Sequence, residues 1–386
     1  MTVTVSWRQA LAWRMRRHYL DPLGTGPVED VVRRLCGVQA QVASSAELAI
    51  ETRLRRPKPG AVAAAIAEGR LIKTWAMRGS LHLITPEEGG AFLSLMASGR
   101  TWERPSWVRY FGVTPPVMEA LRETVRGALD GRTLTRDELI AAVAAEPALV
   151  DVAAGLASGW GTLLKPLAWQ GDLCFGPSRG NRVTFMRPEA ASPRWAGVPD
   201  PEEAAPIAIL SYVGAYGPTT ASSFGAWLAA GWSRKRQLVG WFDGLRDRMA
   251  EVDVEGERSF VLAEHLDELM ASRPSRAVRL LGGFDQYVLG AGTDDEHIVA
   301  AERRAAVSRT AGWISPVVLV DGRVGGTWRL DGSALVIDWF PETERPPAAV
   351  LDAELARVGA ILDDHDPAIR VGAPNRSTVD EGGATG

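Results

Sequence analysis

The sequence predicts an α+β fold, with three tandem winged-helix modules followed by a C-terminal small β-barrel or sheet. Three observations carry that expectation. An order of helices closed by a β-hairpin recurs from the N-terminus to Arg273, although the residue identities do not repeat. Beyond Pro274 the texture changes to short strands punctuated by Asp-Gly pairs, the dipeptide that closes tight hairpins. A chain of 386 residues with 46% hydrophobic content also has enough apolar side chain for one to three well-filled domains.

Residues 1–112 give the loosest copy of the pattern. Helices are expected over Ser6 to Tyr19, Val28 to Cys36, Ser45 to Arg55 and Pro59 to Glu68, and strands over Leu71 to Ala76 and Ser80 to Ile84. This copy has one helix too many. Residues 113–192 are clearest. A helical stripe of Val117, Leu121, Thr124, Val125 and Ala128 ends near Gly131, and Thr135 with Glu138 reads as a capping box for the next helix. A third helix from about Ser158 to Ala168 precedes strands at Leu173 to Phe175 and Val183 to Phe185. In residues 193–273 the helices are Ile207 to Ala215, a second one starting at Pro218-Thr219-Thr220, and Ser233 to Leu245. Strands then flank the Glu255-Gly256-Glu257 turn. Residues 274–375 supply the strands of the barrel and a helix over Ala348 to Leu362, and residues 376–386 read as a flexible tail.

Several classes are excluded. Cys36 and Cys174 stand alone and no histidine has ligand spacing, so neither a disulfide framework nor a metal site is expected, and no cofactor motif is present. The uncharged stretch Ala204 to Ser233 has the length of a membrane span, but Gly217-Pro218 and Ser222-Ser223 divide it into two buried helices. Arg8, Arg14, Arg16 and Arg17 interrupt what a signal peptide would need as an apolar core, which points to the cytoplasm. The net charge of -4 rules out a uniformly basic coat and leaves room for local basic surfaces. Positive clusters lie at Arg53 to Lys58, which includes Arg55 and Arg56, and at Arg234, Lys235 and Arg236. A single basic run is more often a solvated helix face than a phosphate contact. Several such runs on modules of a DNA-binding type favour a duplex partner.

The segment Gly37-Val38-Gln39-Ala40-Gln41 lies between two helices, the first stopping at Gly37 and the second starting at Ser44 with Glu47 three residues on. In extended chain, residues two apart share a face, whereas in a helix they diverge. Gln39 and Gln41 can therefore converge on one point. On these residues alone two readings stand: a paired amide site, or two side chains that bond the backbone at a helix junction.

This segment, together with Thr74-Trp75-Ala76-Met77-Arg78-Gly79-Ser80-Leu81-His82-Leu83, Leu280 to Tyr287 and Ser315 to Arg323, resembles the bacterial AlkZ/YcaQ family of winged-helix DNA glycosylases. The resemblance covers nearly the whole chain. It implies a C-shaped molecule around a DNA-binding cleft, acting as a monomer on double-stranded DNA that contains alkylated guanine. The Gln-Ala-Gln order looks AlkZ-like, since YcaQ-like members carry aspartate in the second place. By that resemblance Gln39 and Gln41 are the catalytic pair, Arg78 and His82 line the cleft, and Arg323 sits on a hairpin tip that enters a groove; from the residues alone, His82 also reads as a surface or structural histidine and the hairpin as a bare solvent-exposed one. The implied activity is excision of bulky N7-alkylguanine adducts or interstrand crosslinks, including self-resistance in producers of DNA-alkylating natural products. Val42-Ala43-Ser44-Ser45 departs from the Asp-Pro expected after the motif, which leaves substrate choice open.

A neutral pair suits that chemistry. Alkylation at N7 already makes the base a cationic leaving group, so cleavage at C1′ needs a placed water more than a general acid. Lysine occurs only at 58, 73, 165 and 235, outside the matched motifs, so hydrolysis is expected rather than a Schiff-base lyase. Two further functions fit the same modules: a noncatalytic DNA-binding regulator and a YcaQ-like enzyme for simple adducts.

Overall fold

The computed structural model describes residues 3–159, 161–229, 235–332 and 334–365. Trp160, Ser233, Arg234 and the expected tail 376–386 lie outside them. The architecture is mixed α+β, with the strands gathered into three sheets.

The largest sheet joins the first two repeats. Its order is Val38–Gln39, Leu81–Ile84, Ile72–Trp75, Cys174–Arg179, Arg182–Met186, Leu134–Thr135, antiparallel throughout. Each repeat contributes a hairpin plus a short strand that runs directly into a helix, Ala43–Glu51 in one and Arg136–Ala144 in the other. The two halves meet where Lys73 pairs with Phe175, and Trp75 packs edge-on against the Phe175 ring at 4.7 Å. That aromatic contact seals the seam.

The expected capping box of the second repeat is present: Thr135 Oγ1 accepts from the Glu138 N–H, and the Glu138 carboxylate accepts from the Thr135 N–H. Its third helix is shorter than expected. Only Lys165–Trp169 is helical, because Gly161 takes a φ of +61° and the chain before it turns through short 3-10 and α segments. The third repeat follows its expected order with helices Pro201–Tyr216, Ala221–Leu228 and Lys235–Asp243 and a hairpin of Met249–Val254 and Glu257–Leu262. Among the described residues no single helix is long and apolar enough to cross a membrane.

Residues 3–17 do not belong to the first repeat, which explains its surplus helix. Val3–Val5 pairs in parallel with Met249–Val254, extending the third repeat's hairpin into a three-stranded sheet. The helix Trp7–Arg17, capped by Ser6, buries Ala10 and Trp13 with Val252, Val254 and Leu269. Its other face buries Leu11 and Met15 with Tyr287 and Val317.

The C-terminal strands form an open four-stranded antiparallel sheet, not a barrel: Val278–Leu281, Val317–Val320, Arg323–Asp331, Ala334–Trp339. Closure would require the first and last strands to pair. Instead the free edge of the first is occupied, since the Leu280 N–H donates to the buried carboxylate of Glu354 at 2.9 Å. Glu354 lies on the helix Ala348–His365, whose Leu355, Val358 and Ile361 cover the sheet face made by Leu280, Val318 and Trp328.

Candidate active site

The chain reaches the Gln-Ala-Gln segment through a sharp helix stop. The helix Val28–Arg34 ends with Cys36 and Gly37 both at positive φ, and the Gly37 N–H donates back to the Val32 carbonyl at 2.9 Å. A Cβ on Gly37 would stand 3.0 Å from Met77 Cε and 3.2 Å from the Leu83 carbonyl oxygen, so glycine lets the next strand close on its neighbour. Val38 and Gln39 then pair with Leu83 and His82, and the Ala40 N–H continues the ladder to the Leu81 carbonyl at 2.7 Å.

This is extended chain, so side chains alternate. Val38 and Ala40 are buried in the core under the helices of the first repeat, whereas Gln39 is half-buried and Gln41 is exposed. The two amides therefore stand on the side away from the Ala40 methyl. Neither side chain has a hydrogen bond within the protein among the described residues. The alternative of two glutamines bonding backbone at a helix junction finds no such bond. The following helix starts at Ala43 with Val42 at its N-cap and no side-chain cap, so the expected Ser44–Glu47 box is absent. Val42 is drawn into the apolar cluster beneath the C-terminal sheet, and that anchors the helix start.

Of the two residues expected to line a cleft, His82 is buried and Arg78 half-buried. His82 is fully buried, its Nδ1 lies 3.0 Å from the Ser80 carbonyl oxygen, and burial pushes its pKa down to about 3, with Arg78 acting in the same direction. Arg78, at a φ of +55° in the turn between the two strands, donates to the Trp227 carbonyl at 2.8 Å. It caps the end of Ala221–Leu228 and ties the first repeat to the third, and burial lowers its pKa. Lys73 is on the opposite face of its strand from Thr74, beside the Phe175 ring, and so stands across the sheet from Gln39. Its burial lowers the amine pKa, but its placement keeps it from the amide pair.

A cavity of about 710 Å³ lies against the helix that follows the segment, and neither Gln39 nor Gln41 lines it. It is bounded by Ser44, Ser45 and Leu48 of the helix after the motif and by Gly283, Trp313 and Trp328 of the C-terminal region. Trp313, 47% exposed and edge-on to Phe284, lines this cavity and is not among the residues singled out from the sequence. Its flanking glycine, Gly312 at positive φ, is the signal that marks it as a turn residue.

Of the basic candidates, Arg55, Arg56, Lys235 and Arg236 are exposed and have no ion-pair partner among the described residues, while Arg234 lies outside them. Arg323 is exposed and bonds the Glu296 carbonyl at 3.3 Å. At the adjoining Asp321-Gly322 tip, Gly322 packs against Tyr287 and Leu11. The Gly322 carbonyl accepts from the buried Tyr287 hydroxyl at 2.8 Å, and a Cβ on Gly322 would meet Leu11 at 3.0 Å. No cluster of three metal-ligating side chains occurs among the described residues.

The chain is similar to known proteins over most of its length. A family model described as DNA glycosylase AlkZ-like matches residues 32–361. An interstrand DNA cross-link repair glycosylase of Streptomyces sahachiroi is 51% identical over 354 residues, 92% of this chain and 95% of the relative. The solved structure of Streptomyces sahachiroi DNA glycosylase AlkZ superposes with a TM-score of 0.91 at 48% identity, over 96% of this chain and 98% of that one. With a family match over most of its length and a relative identical at half its positions, the chain belongs to the AlkZ-like DNA glycosylases, enzymes that hydrolyse N-glycosyl bonds.

Proposed function

We propose that this enzyme excises bulky N7-alkylguanine, including one arm of an interstrand crosslink, by hydrolysis at C1′, with Gln39 and Gln41 placing the water. The observation that carries this reading is the pair of amides at and just after the short edge strand Val38–Gln39, Gln39 half-buried and Gln41 exposed, with no hydrogen bond to either side chain among the described residues. Alkylation at N7 leaves N9 a good leaving group, so the glycosidic electron pair departs with the base. Water adds its oxygen to C1′ and gives its proton to solvent. A glutamine carbonyl accepts from that water, and its NH2 donates to sugar or lesion oxygens.

The relative's description as a cross-link repair enzyme supports the substrate class, and the cavity against the next helix, from Ser44 on, is of the size that holds a drug-sized group. The repeated helix and hairpin units act in this reading as winged helices around a duplex-sized cleft, with Arg55, Arg56, Lys235 and Arg236 contacting phosphates.

The test is single-turnover release of base from duplex DNA carrying N7-methylguanine or a bulky N7 adduct. Gln39→Ala with Gln41→Ala is expected to slow release by at least about 100-fold, the scale for removing groups aimed at a developing charge, with circular dichroism and duplex affinity unchanged. Release at the wild-type rate by the folded double variant removes the pair from the mechanism.

A further inference from the structure

We infer that His82 is a positioning residue: when DNA is bound, the Gln39 carboxamide turns to donate a hydrogen bond to His82 Nε2, a bond not made in the structure described, and that bond fixes its orientation. The inference rests on Gln39 being one of the catalytic pair. Strand register places Gln39 opposite His82 and His82 opposite Thr74, so the three side chains form one row on one face of the sheet. The Ala40 to Leu81 bond fixes the neighbouring pair as the hydrogen-bonded one. Gln39 and His82 are therefore the non-hydrogen-bonded kind of antiparallel pair, in which Cα atoms approach to about 4.5 Å and side chains come closest.

The chemistry of the ring follows from its one bond. Nδ1 faces the Ser80 carbonyl, which can only accept, so Nδ1 carries the hydrogen and Nε2 presents a lone pair. Among the described residues that buried Nε2 has no partner, and neither does the Thr74 hydroxyl on the adjacent strand. Buried polar atoms are paired in most proteins, and two orphans in one row mark a place where a partner arrives from the side. The carboxamide of Gln39 stands at the solvent end of the row with two N–H groups to give. Its NH2 turned inward onto Nε2 leaves Oε1 outward, the orientation that accepts from a water. The reverse orientation sets Oε1 against the Nε2 lone pair, two acceptors facing each other. A neutral imidazole in this one tautomer thus selects between the two orientations of the amide. Its depressed pKa keeps it neutral, since a protonated ring would donate and favour the wrong one.

The variants His82→Leu and His82→Gln test this in single-turnover excision of N7-methylguanine at saturating protein, with duplex affinity measured by fluorescence anisotropy. His82→Leu is expected to lower the rate by about 10- to 100-fold, the scale of a small misplacement of a reacting group, without loss of affinity. His82→Gln restores a buried acceptor and is expected to recover most of the rate. A Leu variant at the wild-type rate, or Leu and Gln variants equally slow, overturns the inference. Either result leaves a catalytic role for Gln39 intact. Gln39→Ala at full rate instead removes the reading beneath it. Should His82→Leu fail to fold, ¹⁵N NMR of the histidine-labelled wild-type protein reads the tautomer directly: a proton on Nδ1 of His82 supports the assignment, and a proton on Nε2 overturns it.

Discussion

Arg53 and Asp285 are both buried and meet in two hydrogen bonds of 2.7 Å, across 232 positions of sequence. The Asp285 carboxylate also accepts from the Tyr287 N–H, capping the helix Gln286–Ala291. Removing one partner strands a buried charge, so Asp285→Ala is expected to cost about 3–5 kcal/mol in urea unfolding. In the sequence Arg53 reads as one of a run of surface cations with Arg55 and Arg56. The run in fact divides, and the reason is a partner 232 positions away that no local pattern encodes. His18 and His82 carry a second expectation. Both have folded-state pKa values below the ordinary 6.5 because of burial, so the unfolded chain binds up to two more protons than the native protein as pH falls. Stability is then fully present above about pH 6.5 and is lost on acidification, with a slope of up to about 1.4 kcal/mol per pH unit for each histidine. Urea midpoints at successive pH values from 7.5 to 5 measure that slope, and His82→Leu should make it shallower.

Two helix starts show what local sequence decides. The Thr135–Glu138 box forms as its spacing predicts, and Thr135→Ala is expected to cost about 1 kcal/mol in thermal or urea unfolding while leaving base excision untouched. Ser44 and Glu47 have the same spacing and form no cap. There the helix start is set by tertiary packing, with Val42 held in one apolar cluster and Ala40 in another, and a capping motif cannot outweigh both. The extended character of Gln39 was legible because Gly37 and the following start signal leave the segment between helices. Its pairing with His82 was not, since a two-residue strand has too short a pattern to identify its neighbour. The Ile72–Trp75 and Leu81–Ile84 hairpin, by contrast, lies within one residue or so of its expected bounds.

Over the whole molecule, the repeat of helices and hairpin was visible along the chain, but the joining of two hairpins into one sheet was not. That junction is one long-range pair, Lys73 with Phe175, supported by aromatic packing. Gly161 makes the junction testable. At a φ of +61°, with a Cβ that would fall 2.1 Å from Trp75 Cζ2, it has no room for a side chain. Gly161→Ala is expected to destabilise the protein by about 1–3 kcal/mol through overpacking, with further strain from the backbone. Because the sheet is continuous, the loss should appear as a lower midpoint of one shared transition for the first two repeats, read by tryptophan fluorescence and circular dichroism together.

The parallel pairing of Val3–Val5 with Met249–Val254 bears on how the protein is made. Translation delivers the opening strand and its helix to solvent well before their docking surface has been synthesised. The apolar side of Trp7–Arg17 must wait, exposed or shielded by a chaperone, while more than half of the polypeptide emerges. A segment made long before its partner is thus among the last to settle, and a bulky fusion placed directly before Val3–Val5 would hinder maturation more than the same fusion placed after Ala348–His365.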